Sequence, residues 1–87
     1  MPYIPPSKRE KYDSLIEELS YMLKDEKSYE SDGILNYIIS KLIHLNYSLT
    51  YFSQNRAIGV LECIKQEQYR RVTAPYEDQK IKENGDI

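Results

Sequence analysis

The chain has 87 residues and a mass of 10.3 kDa, enough for one small domain and too little for two hydrophobic cores. Its formal net charge of −2 argues against duplex-DNA binding, because duplex-binding domains are usually strongly basic. Cys63 is the only cysteine and His44 the only histidine, so the composition excludes an intrachain disulfide and a Cys/His zinc site within one chain. We therefore expect neither a metal nor a cofactor.

No apolar segment approaches the ~20 residues of a membrane span, and the N-terminal MPYIPPSKRE lacks the apolar stretch of a secretory signal. We expect a cytoplasmic protein without a membrane partner. The aromatic residues are nine tyrosines and one phenylalanine. Tyrosine combines an apolar ring with a polar hydroxyl, which suits half-buried surfaces and surfaces that bind a ligand.

The N-terminal prolines predict an extended arm over residues 1–6. Ser7 and Glu10 then fit a capping box at a helix start. The apolar residues that follow at three- and four-residue steps are Tyr12, Leu15, Ile16, Leu19, Met22 and Leu23. This spacing predicts an amphipathic helix over about residues 8–27.

Residues 28–33 (SYESDG) are predicted to form a loop, with Ser31 or Asp32 capping a second helix over about residues 33–47. Its apolar residues are Ile34, Leu35, Ile38, Ile39, Leu42, Ile43 and Leu45. They cover most of the helix circumference, and a helix that is apolar on most sides belongs in an interior. We therefore expect a second copy of the chain to cover part of this helix.

Residues 47–53 are interpreted as a turn in which Thr50 or Ser53 caps a third helix, over about residues 54–74, that ends at Pro75. Residues 76–87 are polar and predicted to be a surface arm or disordered. The predicted fold is all-α: residues 1–87 form a single domain, with an antiparallel three-helix bundle over residues 7–75, in a homo-oligomer.

The sequence contains no defensible Ser–His–Asp arrangement, no nucleotide-binding glycine loop and no zinc-protease motif. The carboxylates of the first predicted helix alternate with lysines, as is typical of a solvated face. We expect no catalytic residues and no enzymatic activity.

One face of the third predicted helix carries Arg56, Gly59, Cys63, Gln66 and Arg70. The small side chains of Gly59 and Cys63 permit close approach of another backbone or of a flat ligand. The pattern indicates either a helix crossing, inside the fold or at a dimer seam, or the floor of an anion pocket with a guanidinium at each end.

Two further groups are candidate ligand-binding residues. Tyr69, Arg70, Arg71 and Tyr76 place aromatic rings beside guanidiniums, a combination that stacks on bases and neutralises phosphates but is also common at protein interfaces. A polar line on the second helix consists of Asn36, Ser40, His44 and Tyr47. This line is either a hydrogen-bonding surface for a ligand between subunits or the exposed stripe of a buried helix.

The opening PYIPPSKRE and the block from Asn55 to Asp86, NRAIGVLECIKQEQYRRVTAPYEDQKIKENGD, resemble a family of small helical proteins of unknown function from tailed phages and prokaryotes. The resemblance implies a phage-associated, cytoplasmic, helical protein. The run from Tyr69 to Pro75 is also similar to the last helix of the phage anti-CBASS protein 2 group. Those proteins are helical oligomers that sequester cyclic-nucleotide immune signals.

We therefore expect a non-enzymatic protein that sequesters a cyclic oligonucleotide or an ADP-ribose derivative at a subunit interface. Arg56, Arg70 or Arg71 would hold phosphates while a tyrosine stacks on a base. The alternative is a structural or adaptor protein that binds a host or phage protein through the same tyrosines and arginines. An enclosed polar pocket would favour the first hypothesis, and a flat or convex patch the second.

Overall fold

The computed structural model describes residues 3–87, which form helices and turns and no strand, so the predicted all-α class is confirmed. The elements are a 3-10 helix (Pro6–Lys8), α1 (Glu10–Lys24), α2 (Ser28–Asn46), α3 (Tyr51–Gln68), a π-helical turn (Tyr69–Thr73) and α4 (Ala74–Asn84). The π turn joins α3 to α4, so the described residues contain three α-helical stretches. The chain divides into two compact units, one ending at Asn46 and the other running from Tyr47 to Ile87.

The start of α1 differs from the predicted capping box. α1 begins at Glu10, and Arg9 precedes it without a side-chain cap. Ser7 lies inside the 3-10 helix, where the Lys8 amide already donates to the Pro5 carbonyl at 2.9 Å, so it does not have the extended backbone of a cap. The first two residues of the predicted arm over residues 1–6 lie outside the described residues.

The connection between α1 and α2 is shorter than the sequence predicts. The predicted loop over residues 28–33 is wrong, because those residues form the first turns of α2. The Lys27 carbonyl accepts the Glu30 and Ser31 amides at 2.9 and 2.8 Å, which starts the helix. The Ser31 hydroxyl donates to the Leu23 carbonyl at 3.1 Å and gives a terminal carbonyl of α1 a partner.

The start of α3 confirms Thr50 as a cap. Its hydroxyl accepts the Ser53 amide at 3.1 Å while its backbone is extended. Ser48 connects the preceding turn to the helix. Its hydroxyl lies 2.8 Å from that of Ser53, and its backbone carbonyl accepts a hydrogen bond from the side-chain amide of Gln54 at 3.0 Å. The helix therefore starts at Tyr51, three residues before the predicted position.

The prediction that the third helix ends at Pro75 is wrong. In a regular helix the Pro75 ring would clash with the Arg71 carbonyl, and proline has no amide hydrogen to donate. The π turn relieves this conflict: the Ala74 amide donates to the Tyr69 carbonyl, five residues back. Helix α4 then continues through the predicted polar tail to Asn84, and the Gly85 amide donates to the Ile81 carbonyl at 2.8 Å.

The helices carry apolar faces that this single chain leaves uncovered. Within residues 3–87 the only buried residue is Ala57, with 2% exposure. The accessible surface is 8062 Å², whereas even two separate compact proteins of half the mass would together expose about 6,500 Å². The apolar stripes predicted from the sequence are therefore present as helix faces but are not packed into a core.

Gly33 provides a test of the α2 start. It lies inside the helix at negative φ, with no atom within 4 Å of an added Cβ, so Gly33→Ala should raise the free energy of unfolding by about 0.4–1 kcal/mol. Urea denaturation measures this change. Gly85→Ala is the matched control: φ is +83° there, so alanine should not stabilise. Destabilisation by Gly33→Ala would contradict the helical assignment.

Candidate functional site

The π turn positions two guanidiniums on one carboxylate. Arg70 Nη2 lies 3.0 Å from Glu67 Oε2, and Arg71 Nη1 lies 3.1 Å from Glu67 Oε1. The Glu67 side chain is 14% exposed, against 73% for Arg70 and 53% for Arg71. The arginines therefore extend outward from a largely covered carboxylate, and the three groups together carry one net positive charge. We call Glu67, Arg70 and Arg71 the arginine pair site.

The electrostatics of this site follow from these contacts. The hydrogen bond from Arg71, and then that from Arg70, lowers the pKa of Glu67 below its ordinary value. The carboxylate is thus charged at neutral pH and holds both guanidiniums. Each guanidinium has five N–H donors and uses one nitrogen on Glu67, which leaves further donors for an anionic ligand.

Of the predicted aromatic residues, one lies in the π turn and another follows shortly after it. Tyr69 is the first residue of the turn and is 54% exposed. Tyr76, in the first turn of α4, is 60% exposed, and the Lys80 ammonium lies 5.6 Å from its ring centroid. The structure therefore places Tyr69, Arg70, Arg71 and Tyr76 on one continuous helical stretch with their side chains accessible. The sequence identified all four but not Glu67, whose i,i+3 and i,i+4 spacing to the arginines was the available signal.

Arg56 belongs to a different environment. Its guanidinium lies 5.5 Å from the Tyr47 ring centroid and 5.7 Å from that of Phe52, within cation–π range of both. No carboxylate among residues 3–87 forms an ion pair with it. Sequence reasoning named Arg56 and Tyr47 but missed Phe52, which the i,i+4 spacing to Arg56 could have indicated.

The predicted stripe along α3 places its two guanidiniums far apart. Arg56 and Arg70 are 14 positions apart, about 21 Å along a helix, so their guanidiniums cannot grip the same phosphate. The side-chain amide of Gln66 donates a hydrogen bond to Glu62 Oε1 at 2.9 Å. This hydrogen bond, and then the one from Lys65, lowers the pKa of Glu62.

Gly59 does not lie at a helix crossing within the chain, because no atom lies within 4 Å of an added Cβ. The prediction of a crossing inside the fold is therefore wrong. Two roles of Gly59 stay predictions: close packing at a dimer interface and the floor of a ligand pocket. Cys63, the other small residue of the predicted stripe, is exposed.

The polar line predicted on the second helix is divided between the two units. Asn36, Ser40 and His44 are exposed on α2, where the Ser40 hydroxyl donates to Asn36 Oδ1 at 3.4 Å. Tyr47 follows the end of α2, belongs to the second unit and faces Arg56. The α2 residues thus form an exposed stripe, but α2 has no buried residue in the single chain, so neither interpretation of this polar line is decided.

Three depressions of the described chain are either open to solvent or small. One, of about 540 Å³, is lined by Leu49, Thr50, Tyr51 and Gln54. Another, of about 330 Å³, is lined by residues of the last turns of α4 and the C-terminal residues after it. A third, of about 80 Å³, lies between α1 and α2 and is lined by Leu19, Met22, Leu23, Glu26, Ile34 and Ile38. None of the three contains a residue of the arginine pair site.

Within residues 3–87, no cluster of three or more His, Cys, Asp or Glu side chains is arranged to hold a metal ion. None of the helices in this range has both the length and the apolarity that a bilayer span requires.

Glu67→Gln tests the arginine pair site. The pKa of Glu67 is lower in the folded chain than in the unfolded one, so its stabilising contribution is present at neutral pH and is lost as the pH falls through the folded-state value. We expect Glu67→Gln to lower the free energy of unfolding at pH 7, and the difference from wild type to shrink in acid as the pH falls through the lowered folded-state pKa of Glu67.

Urea denaturation across this pH range measures the difference. Glu18→Gln is the control, because Glu18 is exposed on α1 and forms no ion pair among the described residues. A Glu67→Gln difference that is the same at all pH values would contradict the role of the charge.

Comparison with known proteins assigns the chain to a family but not to an activity. The domain of unknown function DUF6899 matches residues 1–87, the whole chain. No curated protein and no solved structure matches the chain. The chain belongs to the DUF6899 family.

Proposed function

We propose that the chain is a non-enzymatic protein that binds a small nucleotide-type anion, either a cyclic oligonucleotide or an ADP-ribose derivative. The observation that carries this proposal is the arginine pair site: two exposed guanidiniums on a π turn, both held by the covered carboxylate of Glu67. π turns inside α-helices occur frequently at functional sites. This one also carries Tyr69, an exposed aromatic residue that directly precedes the two cations in the sequence.

The chemistry of the site suits a phosphate ester attached to a base. A guanidinium donates two parallel hydrogen bonds to a phosphate, and holding it on Glu67 beforehand reduces the entropy lost on binding. One net positive charge at the site favours an anion over a neutral ligand. A tyrosine ring that stacks on a base contributes about 1–3 kcal/mol per base.

Enclosure of the ligand requires more than one chain in this proposal. The 540 Å³ depression of the second unit is open, and a small ligand is normally buried over most of its surface. A homo-oligomer of antiparallel helical bundles would provide the missing walls, and the uncovered apolar faces support such an assembly. The proposed setting is the cytoplasm of a phage-infected host, where the chain would sequester an immune signal.

A second candidate function is that of an adaptor that binds another protein. The observation that favours it is the exposed apolar group at the start of α3: Leu49 is 87% exposed, Tyr51 91% and Phe52 74%. Large apolar and aromatic side chains of this kind anchor protein interfaces. The open shape of the depression beside them suits a protein surface better than a small ligand.

Nucleotide binding can be tested by a thermal-shift screen against cyclic dinucleotides, cyclic trinucleotides and ADP-ribose derivatives. A ligand at about 100 times its Kd stabilises the folded state by about 2.7 kcal/mol, which raises the Tm of a chain this small by several degrees. Arg70→Ala and Arg71→Ala should each weaken binding at least about tenfold, because each loses charge-assisted hydrogen bonds of about 1.5–3 kcal/mol. Either single variant keeps one guanidinium on Glu67.

Lys82→Ala is the matched control, since Lys82 is an exposed cation of α4 outside the arginine pair site with no ion pair among the described residues. Its affinity should equal that of wild type. A panel without any shift, or arginine variants with unchanged affinity, would contradict the proposal. Loss of a protein partner in Tyr51→Asp with Arg70→Ala unaffected would favour the adaptor.

A further inference from the structure

We infer that the uncovered apolar face of α1 and α2 is a self-association surface that a second copy of this chain covers. We call this surface the hairpin face. Its members are Leu15, Ile16, Leu19, Met22, Leu35, Leu42 and Leu45. All lie in the first unit, so the inference does not rest on nucleotide binding, whose proposed site is in the second unit.

The spacing of these residues defines a continuous helix face. On α1 they recur at one-, three- and four-residue steps, and on α2 Leu35 and Leu42 are seven residues apart, two helical turns. The exposed fractions run from 38% for Leu19 to 69% for Leu45. These are the side chains that the sequence pattern assigns to a core, and the isolated chain leaves them in water.

The contacts between α1 and α2 use only part of the hairpin face. Leu23, Ile34 and Ile38 are half-buried and line the 80 Å³ cavity between the two helices, together with Leu19 and Met22 of the hairpin face. Ser31 ties α2 to the end of α1 through its bond to the Leu23 carbonyl. The two helices therefore contact each other beside the loop, while most of the apolar stripe lies beyond these contacts.

The size of the hairpin face fits an interface between proteins. Seven large side chains, each about half exposed, offer on the order of 700 Å² of surface per chain, against about 800 Å² that each partner contributes to a standard interface. Monomeric proteins rarely expose contiguous apolar patches larger than a few hundred Å². The face is thus large enough for stable association and too large to remain exposed.

Two observations identify the occupant as a second copy. All seven side chains are apolar, and interfaces between identical subunits are the more apolar class. In addition, Ala57 is the only buried residue within residues 3–87, so the folded chain needs a permanent partner. Another copy is the partner present at equal concentration wherever the chain is made. Two copies of the α1–α2 pair would bring four helices together around one apolar core.

The test uses light scattering and circular dichroism on the full chain. Wild type should have at least twice the mass of 10.3 kDa. The double variant Leu15→Lys and Leu42→Lys should dissociate, with reduced helicity, because lysine ammonium groups cannot be buried unpaired at an apolar interface. The matched control is Tyr21→Lys, a residue of α1 that is 76% exposed and lies outside the hairpin face. Its mass and helicity should equal those of wild type.

Loss of helicity in the double variant still supports the inference. Leu15 is 58% exposed and Leu42 54% exposed in the single chain, so a chain that folds alone would tolerate lysine there. Hydrogen exchange of wild type over a dilution series adds a measurement without mutation: α1 and α2 should lose protection together as the oligomer dissociates. A helical wild-type monomer, an oligomer that survives the double substitution, or a chain that folds only with a different protein would overturn the inference.

Discussion

The structure depends on how the apolar stripes of its helices are covered. Helix α1 has 15 residues, and a helix of that length is marginal in water without packing of its apolar face. The described chain buries Ala57 and leaves side chains such as Ile16 and Met22 more than half exposed. Local hydrogen bonds and caps fix where each helix starts and ends. They contribute too little free energy to keep the helices folded unless more apolar surface is buried. Association with another copy would supply that burial.

Pro75 is the second constraint, and it connects the fold to the candidate site. A proline inside a helix removes one hydrogen bond and displaces the carbonyl four residues back. The chain accommodates this by widening one turn, between Tyr69 and Thr73, and then continues as α4. The cations of the candidate site, Arg70 and Arg71, are therefore in the segment that the proline distorts. Glu67, on the last regular turn of α3, holds both of them.

The second unit separates its cations into two chemical environments. Arg70 and Arg71 share a carboxylate, so part of their charge is already compensated. Arg56 instead lies near the rings of Tyr47 and Phe52, which offer a weaker attraction and leave the guanidinium charge uncompensated. A ligand that engages the first pair must compete with Glu67 for some donors, whereas one that engages Arg56 meets aromatic surfaces. The two environments therefore differ in chemistry: one offers guanidinium hydrogen bonds and the other a cation beside aromatic rings.

The sequence by itself determined the helical class and the apolar stripes and limited the α3 cap to Thr50 or Ser53, because these depend on residues within one or two turns of each other. It also named Tyr69, Arg70, Arg71 and Tyr76, whose chemistry is evident from residue type. It could not determine that residues 28–33 belong to α2, or that the helix continues past Pro75 through a π turn. Each outcome depends on the balance between a local conformational preference and hydrogen bonds made across neighbouring turns.

The tertiary structure alone decided how far the Glu67 carboxylate is covered and which apolar residues stay in water. Glu67 lies three and four residues before Arg70 and Arg71, so the sequence offers the pairing, but the 14% exposure of its side chain follows from the folded chain. Periodicity likewise places Leu15 and Leu42 on inward faces, but burial requires a second surface at contact distance. Residues 3–87 of the single chain do not provide that surface, so a stripe that predicts a core is found exposed.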